Sequence, residues 1–338
     1  MTFRPGTSSA ARANTLAAAG AQVVDTIAPL GMAVVRMPVG SDLMNVLGLD
    51  PAVLRVERDR VRSAEAAPDD PAYATQWSLP LIGWDKVYGS IHPTGSSVVA
   101  ILDTGVDAGQ PELVGRLVPG IGLVPGSDST VDPNGHGTAM AGIVAAATDN
   151  RQGIAGIGYA GVRVMPVTVL DANGLGQDSD IIAGIVWAVD HGANVINLSF
   201  SNPGYSAALQ AAIDYAWDHD VVVVAATGND GSSAPTYPAG DRGVIGVSNT
   251  NQSDQLDANS NHGADTFLAA PGTDIVTLQT GGGLTSVTGT SASSAEVAAA
   301  AALLRAIDPD ASNGVIVGRL ARTAADVGTR SETGNGRL

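Results

Sequence analysis

Four residues stand where side-chain chemistry could be done. Asp103 directly follows the apolar run 98–102 (VVAIL) and precedes Thr104-Gly105, so a buried strand would anchor its carboxylate. His136 lies in Asn134-Gly135-His136-Gly137-Thr138, and its flanking glycines let other backbone come close to the imidazole. Ser291 lies in Gly289-Thr290-Ser291-Ala292-Ser293 at the start of the last long helical pattern, where free N–H groups would favour a developing oxyanion. Asn229, in Ala226-Thr227-Gly228-Asn229-Asp230-Gly231, could aim its amide at the same charge. A hydroxyl, an imidazole, a carboxylate and oxyanion donors are the parts of nucleophilic attack on a carbonyl. Each residue also has an ordinary structural reading. Asp103 would cap or turn, Asn229 would turn, and Ser291 would be an N-cap, while Ser293 with Glu296 fits a capping box.

The elements that must position these groups follow from apolar periodicity. Apolar runs at 98–102, 163–170, 194–200, 221–226 and 243–247 read as buried strands, and helical patterns lie at 136–147, 179–191, 205–218 and 292–306. Strands alternating with helices imply an α/β fold with a parallel sheet covered on both faces. The front of the chain reads differently. A Ser-capped helix over 8–19, strands over 22–27 and 32–38, a short helix over 41–49 and a strand over 53–59 give a small α+β unit. Residues 63–72 (SAEAAPDDPA) read as a linker.

Composition narrows the function. With 17 basic against 33 acidic residues, the surface cannot supply the positive field that a nucleic acid needs. The charge splits unevenly: residues 1–65 carry +1 and residues 66–338 carry −17, which itself suggests two units. No apolar run is long enough to span a bilayer. Cysteine is absent, which excludes disulfides, a thiol nucleophile and Cys-ligated zinc, and no HxxxH pair offers a zincin site. His191 and His219 fall near predicted helix ends and read as surface residues. Residues 1–10 (MTFRPGTSSA) lack a signal-peptide core, so the chain as read is cytoplasmic or trimmed.

Taken together, these blocks resemble the subtilisin-like serine proteases (subtilases), closest to the thermitase group. The shared motifs are VAILDTGVD (99–107), NGHGTAMAGIVAA (134–146), VINLSF (195–200), AATGNDG (225–231), TYPAG (236–240), LAAPGTDI (268–275) and GTSAS (289–293). The resemblance implies a three-layer α/β fold over residues 66–338, preceded by a ferredoxin-like inhibitory propeptide over 1–65. It implies a serine endopeptidase acting on peptides and proteins as a monomer. Asp103 would orient His136, His136 would activate Ser291, and Asn229 with the Ser291 N–H would form the oxyanion hole. Ser199, Phe200 and Ser201 would pair with bound peptide. Ala226, Thr227 and Gly228 would face them across the S1 pocket, with Thr236 at its floor.

The same resemblance implies structural calcium, held by Asp70, Glu112, Asn150 and the carbonyls of Ala147, Gln152 and Ile154. Asp128 and Asp132 suggest a second, weaker site. It also implies self-cleavage near Glu65, within 62–68, a propeptide that guides folding and then inhibits, and secretion, with a leader and the first part of the opening strand removed upstream of Thr2. The chain departs from the family pattern at Ala139, Ser201, Ala295 and Glu296. Ser201 stands where Gly is usual, and Glu296 beside the nucleophile helix would need a partner. A catalytically silent subtilase-fold binding protein, which these departures leave open, and a specialised processing protease or transpeptidase are the alternatives.

Overall fold

The computed structural model describes residues 1–37, 47–59 and 67–338. The chain forms two compact units, Met1–Ala64 and Glu65–Leu338. The expected processing point lies in 60–66, outside the described residues.

In the first unit, helix α1 (Ser9–Ala18) opens on Ser8, whose Oγ accepts from the Ala11 N–H at 3.2 Å. Strands β1 (Thr2–Phe3), β2 (Gln22–Ile27), β3 (Met32–Arg36) and β4 (Val53–Arg55) form an antiparallel sheet in the order β2-β3-β1-β4. Phe3, Ala33, Leu47 and Val53 make its small core. The strands expected over 32–38 and 53–59 end early, at Arg36 and Arg55. The helix expected over 41–49 falls mostly outside the described residues.

The second unit begins with the short helices α2 (Ser78–Leu81) and α3 (Trp84–Val87). Its main sheet contains β5 (Ser97–Asp103), β6 (Ile121–Gly122), β7 (Val162–Thr168), β8 (Val195–Leu198), β9 (Val222–Ala226), β10 (Val244–Thr250) and β11 (Leu268–Pro271). All seven run parallel, in the order β11-β10-β9-β8-β5-β7-β6. Helices α4 (His136–Ala145), α5 (Asp178–Asp190) and α6 (Ala207–Asp218) alternate with the strands. A hairpin of β12 (Ile275–Leu278) and β13 (Leu284–Val287) leads into α7 (Thr290–Ile307), followed by α8 (Asn313–Thr323) and α9 (Arg330–Thr333).

The layering explains the apolar runs. In β5, Val99 and Ile101 pack with α4 and α7, whereas Ala100 and Leu102 pack with α5 and α6. A strand covered on both faces loses the polar alternation of a half-exposed one. Each such fully buried Ile or Leu contributes about 1.5–3 kcal/mol of transfer free energy. Strand β5 has β7 on one side and β8 on the other, so the chain order reverses there. Loops leaving β5, β8 and β9 therefore splay apart at the carboxyl edge, the usual place for a site in such sheets.

Two expectations are corrected here. The linker reading of 63–72 fails at its second half. Asp70 is buried and accepts from the Asp149 and Asn150 N–H groups at 2.9 and 3.1 Å, and the Ala72 N–H donates to Gly153. The capping box at Ser293 and Glu296 does not form. Helix α7 starts four residues earlier, with Gly289 at its N-cap, and the Ser293 hydroxyl donates to the Ala270 carbonyl at 3.0 Å. His191 and His219 are exposed at the ends of α5 and α6, as read from the sequence. Among the described residues no helix is long and apolar enough to cross a membrane.

Candidate active site

Asp103 is the last residue of β5 and has no exposed surface. His136 opens α4, and its Nδ1 lies 2.8 and 2.9 Å from the two Asp103 carboxylate oxygens. An ionised carboxylate only accepts, so Nδ1 carries the proton and Nε2 is left with its lone pair. Asp103 raises the imidazole's affinity for a proton above the ordinary 6.5, outweighing the opposite effect of burial. Helix α4 can come this close because residue 137 is glycine: a Cβ there would sit 2.1 Å from the Gly105 carbonyl oxygen.

A second carboxylate fixes the frame. Asp132 is buried, and its Oδ1 accepts from the Gly135 N–H at 2.8 Å and from the Thr104 hydroxyl at 2.8 Å. Its Oδ2 accepts from the Thr138 N–H and hydroxyl at 2.8 and 2.7 Å. Thr104 in turn donates its N–H to Asp103 at 2.8 Å. Asp132 thus caps the helix that His136 opens and ties it to the end of β5. The second calcium site expected at Asp128 and Asp132 is corrected accordingly. Asp132 is saturated by protein donors, and the Asp128 Oδ1 accepts from the Thr130 N–H and hydroxyl at 2.9 and 2.7 Å.

Ser291 is the second residue of α7, so its N–H belongs to the free first turn. Its hydroxyl donates to the Ser199 carbonyl at 3.1 Å and makes no hydrogen bond with His136. Such contacts commonly tighten only when substrate is bound. Asn229 follows β9, and its Oδ1 accepts from the Thr290 N–H at 2.8 Å and the Thr290 hydroxyl at 3.1 Å. That pins the amide with its Nδ2 unengaged and the residue exposed. Gly289 is required beside it, since a Cβ there would lie 3.1 Å from Asn229 Oδ1 at a φ of 150°.

The other expected cleft residues surround this centre. Ser199 ends in a hydroxyl cluster, accepting from Asn197 at 2.7 Å and lying 3.0 Å from the Ser294 hydroxyl. Past β8, Phe200 and Ser201 have no backbone hydrogen bond among the described residues, leaving an unpaired edge. Ala226, Thr227 and Gly228 are buried. Thr236 is buried too, and its hydroxyl donates to the Thr227 carbonyl at 2.5 Å.

The expected metal ligands also come together. Asn150 donates to Glu112 at 3.1 Å, and Asp70 holds the same loop through the Asn150 N–H. The other Glu112 oxygen is buried without a partner, and no described residue donates to the carbonyls of Ala147, Gln152 or Ile154. Burial first pushes both Asp70 and Glu112 up from their ordinary values; the charges of Asp69 and Asp149 add to the rise at Asp70, and the charge of Asp70 adds to that at Glu112. Two desolvated carboxylates with idle carbonyls beside them suit a hard cation.

The subtilase family matches residues 95–336, most of the chain. The chain belongs to the subtilase family. It is 39% identical over 267 residues to the thermophilic serine proteinase of Bacillus sp. (strain AK1), covering 78% of this chain and 65% of that one. It is 38% identical over 251 residues to thermitase of Thermoactinomyces vulgaris, covering 73% and 88%. An alkaline protease of Shouchella clausii is 35% identical over 294 residues, 87% of this chain and 74% of that one, a span longer than the second unit alone. As a subtilase the chain is a serine endopeptidase, a hydrolase of peptide substrates.

Glu296, the departure that lacked an explanation, is fully buried on α7 and hydrogen-bonded to Ser78. Its second oxygen has no partner, and burial pushes its pKa to about 8 against the pull of Ser78 and the Arg337 charge. It is therefore a neutral acid at pH 7. Unfolding lets it ionise near 4.5, so the folded form holds the extra proton between about 4.5 and 8. Its contribution to stability is complete below that window and is lost as pH rises through it. Glu296→Gln keeps the shape and removes the titration. The Tm of the variant is expected to gain on wild type progressively from pH 5 to 8, the gain levelling above, by an amount worth several kcal/mol. A constant Tm difference across pH 5–9 would contradict this.

Proposed function

We propose that Asp103, His136 and Ser291 act as a catalytic triad that cleaves peptide bonds through an acyl-enzyme. The observation that carries this reading is the buried Asp103 carboxylate holding His136 by Nδ1. It leaves the Nε2 lone pair free to act as the base. As the Ser291 oxygen attacks the scissile carbonyl, its proton passes to Nε2. The Asn229 Nδ2 and the Ser291 N–H receive the oxyanion. Collapse expels the amine, which takes the proton back from Nε2, and water repeats the cycle to free the acid. Peptide would lie along Phe200–Ser201 as an added strand. A serine-directed phosphonate tests this. One adduct per chain on Ser291, with loss of peptidase activity, is expected; activity that survives full labelling would sink the reading.

The first unit is proposed as the propeptide of a self-processing zymogen, its partner being the rest of the chain. The likeness to a relative extends beyond the second unit, and the +1 front piece suits a −17 body. Secretion and a monomeric mature enzyme complete the proposal. Intact-mass spectrometry over time should show the chain giving way to two pieces that meet within residues 62–68.

Calcium is proposed at Asp70, Glu112 and Asn150 with the carbonyls of Ala147, Gln152 and Ile154. It would neutralise the two carboxylates and rivet the loop after α4. A ligand present at 100 times its Kd stabilises by about 2.7 kcal/mol. Chelation is thus expected to lower Tm by roughly 5–10 °C, and Glu112→Gln should blunt that drop. A Tm indifferent to both calcium and chelator would refute the assignment.

A further inference from the structure

We infer that Ser201 sets the size limit of the S1 pocket and restricts cleavage to bonds that follow a small residue such as Ala, Ser or Gly. This rests on the endopeptidase reading above and deepens it. The Ser199 hydroxyl reaches the nucleophile helix, donating to the Ser291 carbonyl at 3.2 Å. Ser201 reaches across instead to the opposite wall. Its Oγ lies 2.8 Å from where a Cβ on Gly228 would stand.

The two segments cannot easily separate to relieve this. Immediately after Ser201, Asn202 and Tyr237 exchange both backbone hydrogen bonds at 2.8 and 2.7 Å. Beneath the slot, Thr236 is bound to Thr227, and Asn261 donates to the same carbonyl at 3.0 Å. A flat aromatic or branched side chain lying between two backbones needs about 3.5 Å of clearance on each face, or about 7 Å in all. The Ser201 hydroxyl occupies that clearance on the Gly228 side. A methyl or hydroxymethyl at P1 stops short of it. A hydroxyl facing a glycine also sets polar rather than apolar surface against a large P1 group.

The test uses matched peptides differing only at P1, Ala against Phe, and reads the ratio of their kcat/KM values. The wild-type chain is expected to favour Ala by tenfold or more. Ser201→Gly is expected to shift the ratio toward Phe by at least tenfold, and Ser201→Ala to shift it part of the way. Wild-type enzyme that cleaves after Phe as well as after Ala would overturn the inference, as would folded variants with an unchanged ratio. Those results would leave the endopeptidase reading standing. Failure to cleave any peptide, with no phosphonate adduct on Ser291, would overturn both.

Discussion

Ser291→Ala is expected to reduce peptide hydrolysis by about 10⁶-fold, the loss seen when the nucleophile is removed from a subtilisin, a member of this family. The whole effect should fall on turnover. Ser291 Oγ touches only the Ser199 carbonyl, so its removal strips one modest hydrogen bond from the fold. Helix α7 opens on Gly289 without a side-chain cap, so no cap is lost either. The variant should fold, bind peptide and stay intact at the junction near residue 65. Chromogenic peptide assays and intact-mass spectrometry of the same sample report both properties. A variant that still trims itself at that junction would show that Ser291 is not the nucleophile.

Asp103→Asn is expected to cost about 10⁴-fold in kcat, as for the equivalent change in another serine protease. The arrangement gives the reason. The new Oδ1 can still accept the Thr104 N–H, so the amide Nδ2 faces His136 and donates to Nδ1. The ring proton is then forced to Nε2, the atom that has to accept from Ser291. The imidazole also loses the charge that raises its pKa. The acid limb of the residual kcat/KM profile should therefore move to lower pH. A variant with low activity but an unmoved acid limb would mean that Asp103 does not govern the imidazole.

Much of this site could be read from the sequence because its parts sit at the ends of long apolar runs. Asp103, His136, Asn229 and Ser291 each border a strand or helix whose burial on both faces or small-residue pattern is plain in one dimension. What stayed hidden depends on distance along the chain. Asp132 reads from the sequence as part of a weak calcium site, since nothing local shows that Thr104, 28 residues away, will reach it. Glu296 looked like an unpartnered acid because Ser78 lies far upstream. Strands β11 and β12 are only four residues each, and β13 is largely polar and partly exposed, so none carries a period long enough to detect. Helix α8 begins Asn-Gly, which reads as a turn.

The contacts of Thr290 have a consequence for precision. One side chain next to the nucleophile receives the Gly228 N–H at 3.1 Å and, with its own N–H, grips Asn229. The proposed nucleophile and the proposed oxyanion donor therefore ride on one linked block. Thermal drift of α7 carries both in the same direction. Their separation, the quantity the reaction is most sensitive to, is insulated from motion of the helix as a whole. The imidazole belongs to a different element, and it is there that a second buried carboxylate, Asp132, does the bracing.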